Sequence, residues 1–165
     1  GLNDTDTEEI RLAAMLHDIG KVGIPGAVLN KSGPLNLEEW DLMKQHVHFG
    51  ARILEPFPCI ERIRQMVEHH HEYFDGSGYP EAQAGEDILL GARIIGLADA
   101  YDTITSDRTY KRGRTSEEAF AELERCCGAQ FDPRLVARFI ELLRKMPHPI
   151  VEAVTAQTQG VAPRA

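Results

Sequence analysis

IERIRQMVEHHHEYFDGSGYP, residues 60–80, changes character half-way along. From Ile60 to Glu72 the apolar residues return at helical spacing, and Ile63, Met66, Val67 and His70 share one face. From Tyr73 to Asp87 that period is gone, and Gly76, Gly78, Pro80 and Gly85 supply loop chemistry instead. A helix therefore ends in two adjacent imidazoles, His70 and His71, and a glycine-bearing loop follows at once.

The same alternation of helix and Gly/Pro loop extends in both directions. Upstream, a helix is predicted to start near Thr5 to Thr7, with Thr5–Glu8 or Asp6–Glu9 as capping box. Leu12, Met15, Leu16 and Ile19 form its apolar stripe, and Gly20, Gly23, Pro25 and Gly26 end it. A second helix follows Asn36, with Trp40, Met43 and Val47 on its inner face. A short continuation, Gly50 to Leu54, stops at Pro56 and Pro58. Downstream, a small-residue helix over Leu90 to Thr105 carries Ala92, Ile95, Ala98 and Asp99. Then come a basic loop (Arg108, Lys111, Arg112, Arg114), a helix opened by the Thr115–Glu118 box and closed at Gly128, and a last helix with Asp132 as N-cap and Pro133 at its first position. Strand-type alternation is absent over any useful length, so the fold class is all-α. Residues 1–149 are expected to be the core and 150–165 a loosely ordered tail.

The 165 residues, 42% hydrophobic, suit one globular domain. The net charge of -8 either keeps the chain soluble or counts carboxylates that ligate metal. In both cases duplex nucleic acid is excluded as a partner, since it needs a basic face. Cys59, Cys126 and Cys127 match no zinc-finger spacing and read as buried or idle thiols of a reducing cytosol. No apolar run approaches the roughly 18 residues of a membrane span, and the polar start is no signal peptide.

The chemistry gathers at helix ends. His17 and Asp18 close the first helix, where a carboxylate meets the negative end of the dipole at a cost of roughly 0.3–1 kcal/mol. A cation in front of Asp18 removes that conflict; a surface pair explains it as well. His70 and His71 end another helix. His46 lies three residues past Met43 on an inward stripe, and Asp99 lies four past Ile95. An ionised Asp on an apolar face needs a strong partner. Four helices thus each bring imidazole or carboxylate to an apolar face, a mixed N/O set that suits Zn, Mn or Fe. His48 and His148 read as ordinary, and His69 as solvent-facing.

His17-Asp18-Ile19-Gly20-Lys21, followed by Ile24-Pro25, resembles the motif of the HD superfamily of metal-dependent phosphohydrolases. His70-His71-Glu72, followed by Asp75-Gly76-Ser77-Gly78-Tyr79-Pro80, resembles the motif of its HD-GYP subfamily. Further likeness runs through Leu29-Asn30-Lys31, Glu38-Glu39-Trp40, Ala98-Asp99, Thr105 to Arg108 and Gln130 to Pro133, covering roughly residues 10 to 145. The resemblance implies a compact helical bundle around two or three divalent ions, Fe or Mn. It implies His17, Asp18, His46, His70, His71 and Asp99 as ligands: Asp18 bridges two ions, His46, His70 and His71 serve one, and His17 and Asp99 the other. Asp18 and Lys21 are the implied catalytic pair. Lys21, Arg108, Lys111, Gly78, Tyr79 and Pro80 are the implied substrate contacts.

The implied activity is hydrolysis of cyclic di-GMP to linear pGpG, and on to GMP if a second bond is cut, in bacterial second-messenger signalling. Implied partners are GGDEF-domain proteins and an upstream sensor or receiver domain. The family's upstream ligand helix is expected to be missing, Ala82-Gln83 stand where Gly-Leu is common, and Thr109 replaces a common Pro. Two other readings stay open: an HD phosphohydrolase for another nucleotide, and a non-catalytic cyclic di-GMP sensor or GGDEF-docking module. Filled ligand positions favour turnover, since a pure binder has no need of them.

Overall fold

The computed structural model describes residues 2–107 and 112–146. Arg108 and Lys111, His148 and the 150–165 tail lie outside them. Among the described residues every regular element is helical: α1 (Asp4–Leu16), α2 (Gly26–Leu29), α3 (Leu37–Lys44), α4 (His46–Leu54), α5 (Glu61–His69), α6 (Leu90–Thr105), α7 (Ser116–Arg125) and α8 (Pro133–Lys145). Cys127 and Phe131 add only an isolated bridge. The all-α expectation holds.

The chain groups into two compact units, 1–96 and 97–165, and the boundary falls within α6. The first is built on Ala13, Leu54, Ile63, Met66, Val67 and Ile95, with Ile10, Leu12, Leu16, Ile60 and Leu89 packed against them. The second is built on Leu97, Phe120, Leu123, Phe131, Val136 and Ile140. Its helices start where the sequence says: Thr115 and Glu118 form a reciprocal capping box, and the Asp132 side chain accepts from Arg134 N, with Pro133 opening α8.

The first helix differs from expectation. Asn3 is the N-cap and accepts from Asp6 N at 2.8 Å, so neither proposed box forms; Asn is among the strongest caps, and it stands before both Thr5 and Asp6. Of the expected stripe, Leu12 and Leu16 pack against the core, but Met15 and Ile19 do not. Met15 is 70% exposed, Ile19 is exposed on a following 3₁₀ turn (Ile19–Gly23), and Ala13 is fully buried.

The second expected helix is two. α3 is capped by Asn36 and Glu39 as predicted, yet buries no residue, and Trp40 is 48% exposed. The chain then turns at Gln45, so a helical period drawn from Trp40 to Val47 spans a break. Val47 and His46 are buried because they belong to α4. Nor are the thiols buried: Cys59 and Cys127 are exposed and Cys126 is half-buried. No described helix is long and apolar enough to cross a membrane.

Candidate metal centre

The site is assembled from three chain segments of the first unit. The first is the end of α1 with the turn after it. α1 stops at Leu16, His17 caps it, and Asp18 starts the 3₁₀ turn. Gly20 in this turn lies so close to α4 that a Cβ there would stand 1.9 Å from His46 O and 2.3 Å from Gly50 N. Only glycine allows this approach, and it brings Asp18 to His46. The second segment is the start of α4, which carries His46, and the third is the end of α5, where His70 is the C-cap. A Cβ at Gly96 would come within 2.5 Å of His70 O, so α6 crosses tight over that end.

Four imidazoles converge there. Ring centroids are 4.0 Å apart for His70 and His71, 5.2 Å for His46 and His71, 5.5 Å for His46 and His70, and 5.2 Å for His17 and His70. Two sets of donor atoms lie within 4.8 Å of one another: His46, His70 and His71, and His17, Asp18 and His70. Asp18 turns one oxygen to each side, Oδ1 3.7 Å from His46 Nε2 and Oδ2 3.4 Å from His17 Nε2.

Three of the rings are held in the same way. His17 Nδ1 lies 2.8 Å from Ala14 O, His46 Nδ1 2.8 Å from Met43 O, and His70 Nδ1 2.7 Å from Val67 O. A carbonyl only accepts, so each Nδ1 carries the proton and each Nε2 offers its lone pair. For His46 and His70, each 2% exposed, Nε2 is buried with no hydrogen-bond partner. A buried acceptor left so costs roughly 1–3 kcal/mol, and a divalent ion is a partner of the right chemistry. Burial pushes both rings below the usual 6.5, His70 well below, with His71 adding to the effect on His70. Neutral imidazole is the ligating form. The residues present therefore fit a metal centre.

The loop after α5 closes over one side. Tyr79 N donates to His71 O at 3.1 Å, and the Tyr79 ring stacks on His71, centroids 5.0 Å apart. Lys21 Nζ donates to Asp18 Oδ2 at 2.5 Å. Asp99 is half-buried on α6 and belongs to the second unit.

Two readings need correction. His69 does not face solvent: it is 8% exposed, with Nδ1 3.6 Å from Glu72 Oε1. Ala98, expected inward, is exposed. His48 stands apart, as expected, with Nδ1 3.2 Å from Glu68 Oε1. Glu72, named in sequence only as part of the His70-His71-Glu72 run and given no role there, is buried. An acidic residue beside a loop gives no periodic signal of burial, although its position directly after paired histidines is a hint.

A family model described as HD domain matches residues 1–135. The chain belongs to the HD domain family. Within it, the HD-GYP likeness agrees with relatives of known type. This HD-domain chain is 39% identical over 148 residues to a cyclic di-GMP phosphodiesterase of Thermotoga maritima, covering 88% of this chain and 40% of that protein. It is 40% identical over 149 residues to the cyclic di-GMP phosphodiesterase PA4108 of Pseudomonas aeruginosa (88% and 35%). It is 38% identical over 143 residues to a 3'3'-cGAMP-specific phosphodiesterase 2 of Vibrio cholerae (86% and 27%). The HD-domain chain thus spans two fifths or less of these relatives. In fold it matches a crystal structure of a cyclic GMP-AMP-specific phosphodiesterase from V. cholerae, with a TM-score of 0.69 at 22% identity, over 98% of this chain and 45% of that one.

Proposed function

We propose that this HD domain is the catalytic core of a metal-dependent phosphodiesterase that hydrolyses cyclic di-GMP to linear pGpG. The observation that carries the reading is the pair of donor sets sharing His70, with Asp18 turned to both sides. Two ions bound there, Fe or Mn, would lower the pKa of water and offset charge on the phosphoryl oxygens.

The chain's own groups then have distinct tasks. His46, His70 and His71 would hold one ion; His17 would hold the other, with Asp99 as its further ligand; Asp18 would serve both. Lys21, kept beside Asp18, supplies positive charge for a phosphate oxygen. Tyr79, with Gly78 and Pro80, walls the side next to His71 and offers a ring face to a guanine base. Arg108 and Lys111 grip a substrate phosphate. On this reading Arg108→Ala raises KM by a factor equivalent to about 1.5–3 kcal/mol and leaves metal content alone. GGDEF-domain proteins and an upstream sensor or receiver domain are the proposed partners, in the cytoplasm.

A second substrate has a specific observation behind it. Relatives at similar identity are named for cyclic di-GMP and for 3'3'-cGAMP, two rings that differ in one base. The test is turnover of both, beside bis-p-nitrophenyl phosphate, with Mn(II) or Fe(II) added. Hydrolysis of a cyclic dinucleotide that ceases with chelator supports the reading. Binding of the dinucleotide with no turnover under any metal replaces it with that of a sensor module.

A further inference from the structure

Glu72 is a carboxylate that neither donor set uses. It follows His71 directly, and its side chain is fully buried. Oε1 accepts from Glu81 N at 2.7 Å. Oε2 is buried with no hydrogen-bond partner, and His69 Nδ1, at 3.6 Å from Oε1, is beyond bonding distance. A carboxylate buried in this half-satisfied state costs stability. A residue kept only for folding would be expected to avoid that cost.

The one bond it makes closes a loop. The chain leaves α5 at His71-Glu72 and returns to the same dipeptide at both later points. Tyr79 N bonds to His71 O at 3.1 Å, and Glu81 N bonds to the Glu72 side chain. Gly78 lies so near that a Cβ would stand 2.2 Å from Tyr73 N and 2.6 Å from His71 O. This double closure sets the Tyr79 ring on His71, at 26° between planes. His17, His46 and His70 are oriented by carbonyls of their own segments. His71 is the ring that the loop covers.

We propose that Glu72 is the positioning residue of His71: by holding the Glu81 amide it fixes the loop that lays Tyr79 on the imidazole and keeps that ring aimed into the donor set. The proposal rests on the reading of His71 as a metal ligand. Outer groups that orient ligating histidines typically matter by about 10–100-fold in metal affinity.

The test uses Glu72→Gln, which keeps an acceptor for Glu81 N, Glu72→Asp, which keeps the charge but shortens the reach, and Glu72→Ala. The first readout is the NMR signal of the His71 ring protons in the metal-free protein, with Tyr79→Ala as reference for a ring without its stack. The second is Co(II) affinity with its visible spectrum. Glu72→Gln is expected to keep the parental His71 signals and Co(II) affinity. Glu72→Asp and Glu72→Ala are expected to move the signals toward those of Tyr79→Ala and to weaken Co(II) by about 10–100-fold. If Glu72→Ala does not fold, the contrast of Gln with Asp carries the test. Parental His71 signals or parental Co(II) affinity in folded Glu72→Asp overturns the proposal, as does a Glu72→Gln that behaves like Ala. A parent that binds no Co(II) while the ring signals follow this pattern removes the metal reading and leaves the positioning intact.

Discussion

Lys21 Nζ lies 2.5 Å from Asp18 Oδ2, within a turn that starts at Asp18 itself. Both side chains are over a third exposed, so in the metal-free protein this is a surface ion pair with a small net effect. It also answers the question that Asp18 poses in sequence. A carboxylate just past the C-terminus of α1 opposes the helix dipole, and until a metal arrives Lys21 supplies the compensating charge.

Asp18→Asn therefore separates stability from function. In the metal-free protein it removes both the lysine pair and the dipole conflict, two opposed effects each of about 1 kcal/mol or less. Its unfolding free energy should stay within about 1 kcal/mol of the parent. With Mn(II), turnover should be lost and the metal-induced rise in Tm should shrink, because an amide is a poor bridge. Melting curves with and without Mn(II), beside a hydrolysis assay, check this. Parental turnover together with the full rise would show that Asp18 is not the bridge.

Gly20 is the hinge of the assembly. A Cβ would fall 1.9 Å from His46 O, against backbone that cannot move aside as a side chain can. Gly20→Ala should cost about 1–3 kcal/mol, as overpacking does, and should lower metal content by parting Asp18 from His46. Gly33→Ala, with nothing within 4 Å of the added carbon, is the control. Equal denaturation midpoints for the two variants would contradict the close approach.

Buried neutral histidines also predict a pH response. His46 and His70 are pushed below the usual 6.5 by burial. When the metal-free chain unfolds they regain ordinary values, so below about pH 6.5 the unfolded state takes up protons that the folded state refuses. Stability should be insensitive to these groups above that pH and should fall as pH drops through it toward the lower folded values. Urea midpoints between about pH 5 and 8 measure it. His70→Gln should flatten the slope; an unchanged slope would mean that His70 is not held neutral.

Much of this was legible in the residues. Asn36–Glu39, Thr115–Glu118 and Asp132-Pro133 announced their helices because capping is local chemistry. His70 was marked by falling on an apolar face; His46 was placed inward through a stripe that the break at Gln45 interrupts, and is buried as part of α4. Ile19 was misplaced, and the period from Trp40 to Val47 misdrawn, because a hydrophobic period says nothing of where a helix stops, and α1 and α3 stop before the expected stripe ends; Met15, inside α1, is exposed although the period counted it inward. His69 and Glu72 were missed for another reason. Glu72 is tied to the loop that folds back onto it, a contact nine residues distant along the chain, and His69 lies beside Glu72; no helical pattern encodes either. Gly20 and Gly96 were visible as glycines, but the backbone each approaches belongs to another helix.

The central claim is that His46, His70 and His71 hold a divalent ion together, and metal content tests it most directly. Parent and a His70→Ala/His71→Ala double variant are loaded with Mn(II), freed of excess, and analysed for metal per folded chain, folding being checked by circular dichroism. The account predicts that the double variant loses about one ion per chain or more relative to the parent, while His48→Ala, outside both donor sets, keeps the parental content. A folded double variant with the parental metal content would contradict it.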